Sequence, residues 1–432
     1  MGVMLGHRPT EAGVLPDEWP VFAIGSLGAG STPPIKAGPF GSALTKDIYV
    51  PEGYKVYGQE QVIRGDHRYG DYFVTAKKYR ELESCAVRPG DILLSLVGTL
   101  GRLLVVPTGA QPGIINPRLV RFSLDPKRID PHFFRFLFES DDVQTRLANQ
   151  AQGGTMGVLN AGIFRTFCIQ VPSLQEQQVI SRALSDADAL SESLEQLLAK
   201  KRHLKQGAMQ ELLTGKKRLP GFTGSWPERT LAALFDFSGG LSASRDQLSG
   251  DGHCYLHYGD IHGSSKTFVD VRAEYQDIPK LNVPLKKVAS RSLLADGDVV
   301  FVDASEDDEG TSKHVVIVNR GRIPFISGLH TIVAKSRTDE LSHLYRRYCF
   351  QTRSVKQQFR FFSVGTKVSG ISKANIAKVA LPVPSRSEQE AIAEILADMD
   401  WELVALEAKL TKARQIKQGM MQELLTGRIR LV

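Results

Sequence analysis

The chain has 432 residues, 42% of them hydrophobic and 23% charged, ordinary proportions for a soluble globular protein with room for roughly two to four domains. Its 54 Lys and Arg exceed its 47 Asp and Glu, a net charge of +7 that suits a polyanionic partner. The four cysteines, Cys85, Cys168, Cys254 and Cys349, are scattered, which argues against a disulfide framework or a structural zinc site and for a reducing, cytoplasmic setting.

The opening "MGVMLGHRPTEAG" has no charged segment leading into an apolar run, so no signal peptide is expected. The longest apolar segment, 92–106, is too short to span a bilayer and carries Arg102. Within residues 1–170, "GDILLSLVG" (90–98) and "LVRFSL" (119–124) are short apolar runs bounded by turn formers and predict strands. "DPHFFRFLFESDDVQTRLANQ" (130–150) predicts one helix.

Residues 171–219 predict a long helix. Ile180, Leu184, Ala187, Leu194 and Leu198 form an apolar stripe. Ser173 stands three residues before Glu176, the spacing of a capping box, and Gly215 sits where the helix should stop. Strands follow again in "GDVVFVDA" (297–304) and "KHVVIVN" (313–319), then one helix in "SHLYRRYCFQTRSVKQQFRFF" (342–362). The chain closes on a second long helix over 383–432, with Ser385 before Glu388, a stripe of Ile392, Leu396, Met399, Leu403, Leu406 and Leu410, and Gly427 at its end. From cap to stop each helix covers about 40 residues, or roughly 60 Å.

The two tails are copies. Residues 171–219 and 383–431 align without a gap over 49 positions at a constant offset of 212, and "MQELLTG" recurs unchanged at 209–215 and 421–427. Weaker matches continue upstream: "LPDEW" (15–19) with "FTGSW" (222–226), "YKVYGQE" (54–60) with "YLHYGDI" (255–261), and "RPGDILLS" (88–95) with "ADGDVVFV" (295–302). The chain is a tandem duplication: a globular part at 1–170, a helix at 171–219, a diverged globular part at 220–382 and a second helix at 383–432. Neither helix can bury its stripe alone, so the two are expected to pack as an antiparallel pair.

Catalytic signatures fail on inspection. "GSLGAGST" (25–32) has P-loop glycine spacing, but Ser31 stands where the lysine must be. "INPRL" (115–119) has Arg118 where an amino-methyltransferase motif needs a second proline. His253, His257 and His262 with Cys254 do not have zinc-motif spacing, and "DASEDDEG" (303–310) reads as an exposed loop. From Leu341 to Ser387, by contrast, nine Lys and Arg occur in 47 residues without one Asp or Glu, which predicts a phosphate-facing surface.

Two variable globular regions, each followed by a helix ending in "ELLTGKKRLPGF" or "ELLTGRIRL", resemble the specificity subunit of Type I restriction–modification enzymes. "GPFGSALTKDIYV" (38–50) is similar to the opening of that family's target recognition domains, and "QVPSLQEQQVI" and "PVPSRSEQEAI" to its strand-to-helix junctions. The second domain departs from the pattern, with "FSGGLSASRD" (237–246) in place of a Phe-Gly-Ser element. The resemblance implies a mixed α/β fold: two tandem, pseudo-symmetric target recognition domains separated by two long, antiparallel, coiled-coil-like helices. It implies a non-catalytic DNA-recognition subunit, each domain reading one half of a bipartite double-stranded target while the helices set the gap. Two modification subunits would bind S-adenosylmethionine and methylate adenine, and restriction subunits would cleave. A methylation-only or other phage-defence system without a restriction partner is the alternative. The DNA-contact candidates are Ser42, Lys46, Arg64, Arg68, Lys77, Lys78, Arg102 and Arg118 in the first domain, and Lys313, Arg320, Arg346, Arg347, Arg353, Lys356 and Arg360 in the second.

Overall fold

A computed structural model describes residues 8–10, 14–30, 32–96, 101–150, 161–264, 266–305, 310, 313–365 and 368–431, together with the backbone of residues 7, 13, 151 and 152. The chain divides into two compact units, the first discontinuous, Met1–Glu195 with Ala408–Val432, and the second a single segment, Gln196–Glu407.

The first unit contains β1 (Ile35–Ala37), β2 (Tyr54–Tyr57), α1 (Gln59–Arg64), β3 (Phe73–Val74), β4 (Ala86–Val87), β5 (Ile92–Ser95), β6 (Leu103–Val105), β7 (Gly113–Ile115), β8 (Leu119–Phe122) and α2 (Pro131–Glu139). One sheet runs β3-β2-β7-β4, with β7 parallel to β2, and the other runs antiparallel in the order β1-β8-β5-β6. Strands β5, β7 and β8 are buried along their whole length, so their apolar residues do not alternate with exposed ones, and the one buried charge among them, Arg121 on β8, donates to Ala86 O and lies beside Asp91. Phe122 on β8 meets Phe134, Phe138 and Phe164 with ring centroids 5.3, 5.8 and 5.4 Å away, tilted or edge-on.

Helix α3 (Leu174–Leu212) belongs by parts to both units. The second unit repeats the plan with β9 (Phe235–Gly239), β10 (Leu248–Ser249), β11 (His253–Leu256), α4 (Tyr258–His262), β12 (Phe268–Asp270), β13 (Lys280–Leu281), β14 (Val299–Val302), β15 (His314–Val318), β16 (Phe325–Ser327), β17 (Thr331–Ser336) and α5 (Arg353–Phe362), and α6 (Arg386–Leu424), like α3, belongs by parts to both units. Its sheets run β10-β13-β11-β16 and β9-β17-β14-β15-β12. The parallel pair β2·β7 reappears as β11·β16, and the order β1-β8-β5-β6 as β9-β17-β14-β15, with β12 added at the edge.

Each segment expected to form one helix after these sheets is broken in two. Residues 130–150 split at Ser140, and residues 342–362 split at Thr352, 212 positions later. Both residues are extended, and the Thr352 hydroxyl accepts the Val355 N–H at 3.3 Å. A hydroxyl residue gains more as a cap than inside a helix, and it overrides the hydrophobic period here.

Helices α3 and α6 are each 39 residues long. Ser173 and Ser385 accept the N–H groups of Glu176 and Glu388 at 3.2 and 3.4 Å, the serine half of a capping box. The carboxylates are engaged elsewhere. In the first unit Glu176 accepts Trp19 Nε1 at 3.2 Å and a two-pronged grip from Arg430, whose Nη2 is at 2.9 Å. In the second, Glu388 accepts Trp226 Nε1 at 3.0 Å and Arg218 Nε and Nη2 at 2.6 and 2.8 Å. The start of each long helix is thus latched to the end of the other. Ion pairs Asp188–Lys417 and Glu195–Arg414 in the first unit, and Lys201–Glu402 and Lys205–Asp400 in the second, run in opposite chain directions, so the segments within each unit are antiparallel.

The apolar stripe does more than hold helix to helix. Ile180 and Leu184 enter the first unit's core with Leu424 and Leu425, and Ile392 and Leu396 enter the second's with Leu212 and Leu213. Leu198, Leu406 and Leu410 are buried, while Ala187, Leu194, Met399 and Leu403 are half-buried. No helix among the described residues is long and apolar enough to cross a membrane.

Candidate nucleic-acid interface

The tight turn joining β7 to β8 comprises Asn116, Pro117 and Arg118, and the turn joining β16 to β17 comprises Gly328, Leu329 and His330. Both are held by backbone. Asn116 N–H donates to Tyr57 O at 2.8 Å, and Gly328 N–H to Leu256 O at 2.9 Å, extending the parallel ladder in each unit. A glycine seals each turn: a Cβ on Gly38 would stand 1.8 Å from Asn116 O, and one on Gly240 would stand 1.8 Å from Gly328 O. Only glycine permits that approach.

The predicted DNA-contact residues fall into three groups. Ser42, Lys46, Arg68, Lys77, Arg102, Arg118, Arg320, Arg353 and Arg360 are exposed. Others are exposed or half-buried but occupied: Arg64 stacks 4.0 Å over the Tyr69 ring, Lys78 pairs with Glu81 at 3.2 Å, Lys313 donates to His262 O, and Lys356 is half-buried on α5. The third group corrects the expectation. Arg346 is 2% exposed, with Nη1 on Gly297 O at 2.6 Å and Nη2 on Leu341 O at 2.8 Å, and it braces the core instead of facing a ligand. Burial pushes its pKa down, and that of its neighbour Arg347 too, whose guanidinium lies half-buried 3.7 Å from the Phe268 ring centroid. The cation run is therefore not one face; Arg386 at its end pairs with Glu390, and Lys367 lies outside the described residues.

Two of the three histidines singled out by spacing are spent on local structure. His257 Nδ1 accepts Gly259 N–H at 3.1 Å, and His262 Nε2 shares a 2.7 Å hydrogen bond with Ser305 Oγ. Among the described residues no three His, Cys, Asp or Glu side chains gather as metal ligands. Residues 306–309 of the acidic stretch, and Ser31 of the glycine loop, lie outside the described residues. One residue that sequence reasoning missed is His330. It is exposed, has a positive φ of 57°, and places Nδ1 3.3 Å from Asp303 Oδ1 and its ring edge-on to Tyr258 at 5.5 Å. Its kinship to Arg118 follows from strand register, since the two lie 212 positions apart, the offset of the tails.

The family model described as "Type I restriction modification DNA specificity domain" matches residues 16–201 and 302–418, once on each copy of the repeat. The chain belongs to this family. As a Type I specificity subunit, it serves DNA sequence recognition. It is 22% identical to the Type I restriction enzyme MjaVIII specificity subunit of Methanocaldococcus jannaschii over 96% of this chain and 94% of that one. It is 27% identical to the EcoBI specificity subunit of Escherichia coli over 38% and 37%. In fold it is similar to the S subunit of a Type I restriction–modification system from M. genitalium, with a TM-score of 0.55 at 15% identity, covering 94% of this chain and 96% of the other.

Proposed function

We propose that this specificity subunit reads a bipartite double-stranded DNA target, one half through each globular domain, with the helix pair setting the unspecified gap between the halves. The observation that carries this reading is the duplicated turn: two copies of one frame, sealed by Gly38 and Gly240, present different side chains at the same place, Arg118 and His330. A protein that read one sequence twice would have no reason to let the copies diverge there. The gap-setting role is supported by two helices of equal length, 39 residues each or about 58 Å. Exposed Ser42, Lys46, Arg68, Lys77, Arg102, Arg320, Arg353 and Arg360 would supply phosphate contacts that fix register on the duplex.

Two modification subunits would dock on this chain and bring S-adenosylmethionine and the methyl-transfer chemistry; restriction subunits would add cleavage. Exposed apolar side chains favour such docking: in the second unit Leu197 and Leu204 stand seven residues apart on α3, and Trp401 is 72% exposed on α6. Co-production with the modification subunit in a host free of adenine methylation, followed by mapping of methyladenine, tests the reading. A two-part motif with a fixed gap is expected. A continuous motif, or none from an assembled complex, would overturn it.

A further inference from the structure

Resting on that reading, we infer that the base-choosing element of each domain is the three-residue turn between its two sheets, 116–118 in the first domain and 328–330 in the second. Arg118 and His330 are the side chains that touch base edges. A base-reading group must be exposed, must spring from a backbone that does not move, and must keep hydrogen-bonding capacity after its own fold is satisfied. Few candidates meet all three demands. Lys78 is paired, Arg64 lies on a ring, and Arg346 is buried.

Both turns are fixed from below. In the first domain Asn116 Oδ1 accepts the Arg118 N–H at 2.9 Å, Leu96 N–H donates to Arg118 O at 3.0 Å, and Gly38 N–H donates to Leu119 O at 2.9 Å. In the second, the buried Tyr255 hydroxyl accepts Leu329 N–H at 3.0 Å while donating to Leu241 O at 2.7 Å. Thr331 Oγ1 donates to Gly328 O at 2.6 Å. These bonds hold His330 in the left-handed region, a conformation a histidine adopts only where its surroundings demand it.

The chemistry offered at the two positions differs. Arg118 is a guanidinium fork, suited to the O6 and N7 acceptors of guanine. His330 gives its Nδ1–H to Asp303 and keeps Nε2 for a ligand, with the Tyr258 ring edge-on beside it. With Nδ1 engaged by the carboxylate, Nε2 is the ring atom turned to a base edge, and as an acceptor it suits the exocyclic amino group of adenine or cytosine.

The test uses the full chain with its modification subunit and maps methyladenine for wild type, Arg118→Gln and His330→Asn; asparagine tolerates the left-handed backbone and preserves the turn. Each substitution should relax or change one position of one half-site only, in different halves, with discrimination there falling on the order of tenfold to a hundredfold. Both motifs unchanged would overturn the inference while leaving the wild-type two-part motif, and hence the function, standing. A wild type without a two-part motif would remove both. If either variant methylates nothing, its binding to target and unrelated duplexes decides. Retained binding with lost preference supports the assignment, and equal loss on both overturns it.

Discussion

Arg430 is the third residue from the end of the chain, yet its guanidinium closes over Glu176 and Trp19 in the first unit. Replacing it with alanine removes two charge-assisted hydrogen bonds to Glu176 and a third, to exposed Glu18, and leaves Glu176, 1% exposed, with the Trp19 N–H for company. Breaking a fully buried pair costs about 3–5 kcal/mol. Arg430 is 33% exposed, so water replaces part of what is removed, and about 2 kcal/mol is the expected penalty. For a unit of this size that lowers the melting midpoint by roughly 4–8 °C. Hydrogen exchange read by mass spectrometry should show faster exchange around Trp19 and the start of α3, with the peptides around Trp226 unchanged. Equal loss of protection in both regions, or no loss in either, would refute the latch.

Arg346→Ala, which strands the Gly297 and Leu341 carbonyls, should destabilise the second unit by about 1–3 kcal/mol per carbonyl, while the salt dependence of DNA binding stays as in wild type. Arg353→Glu with Lys356→Glu should do the reverse: in a titration of affinity against salt, the slope should flatten by about one unit for each phosphate that is no longer neutralised. Burial, with Arg245 second, holds the His257 ring below the ordinary histidine range, so the unfolded chain takes up that proton at a higher pH than the folded one. Its contribution to the second unit is complete above about pH 6.5 and falls as pH drops below it; calorimetry should show that decline, and His257→Asn should flatten it. Inserting four residues after Leu198 should lengthen the methylated motif's gap and leave both half-site sequences intact, since each helical residue adds about 1.5 Å; a changed half-site with the old gap would contradict the gap-setting role.

Much of this was legible in the chain because it depends on local period and spacing. The two long helices, their serine caps and their terminal glycines follow from residues a few positions apart. The latch was not legible for a reason built into the duplication. Aligning the copies sets Glu176 beside Glu388 and Arg218 beside Arg430, like with like, whereas the bonds run from Glu176 to Arg430 and from Glu388 to Arg218. The cation run misled because charge was read without depth: Arg346 sits where its chain reaches two carbonyls inside the core. His330 escaped notice because the linkers ahead of it changed length between the copies: the upstream motif matches stand at offsets other than 212, and the turns return to the offset of the tails just where strand register also pairs His330 with Arg118.

Gly38 and Gly240 leave no room for even a methyl group where they cross the turns at Asn116 and Gly328, and the approach is peptide against peptide. That clasp touches no side chain at 118 or 330, and the one added demand is the left-handed backbone at 330, which a replacement there has to tolerate. A domain built this way can exchange the letter it reads without rebuilding the hand that holds it. Selection for a new target can act on one codon, freely at 118 and, at 330, among the residues that accept a left-handed backbone.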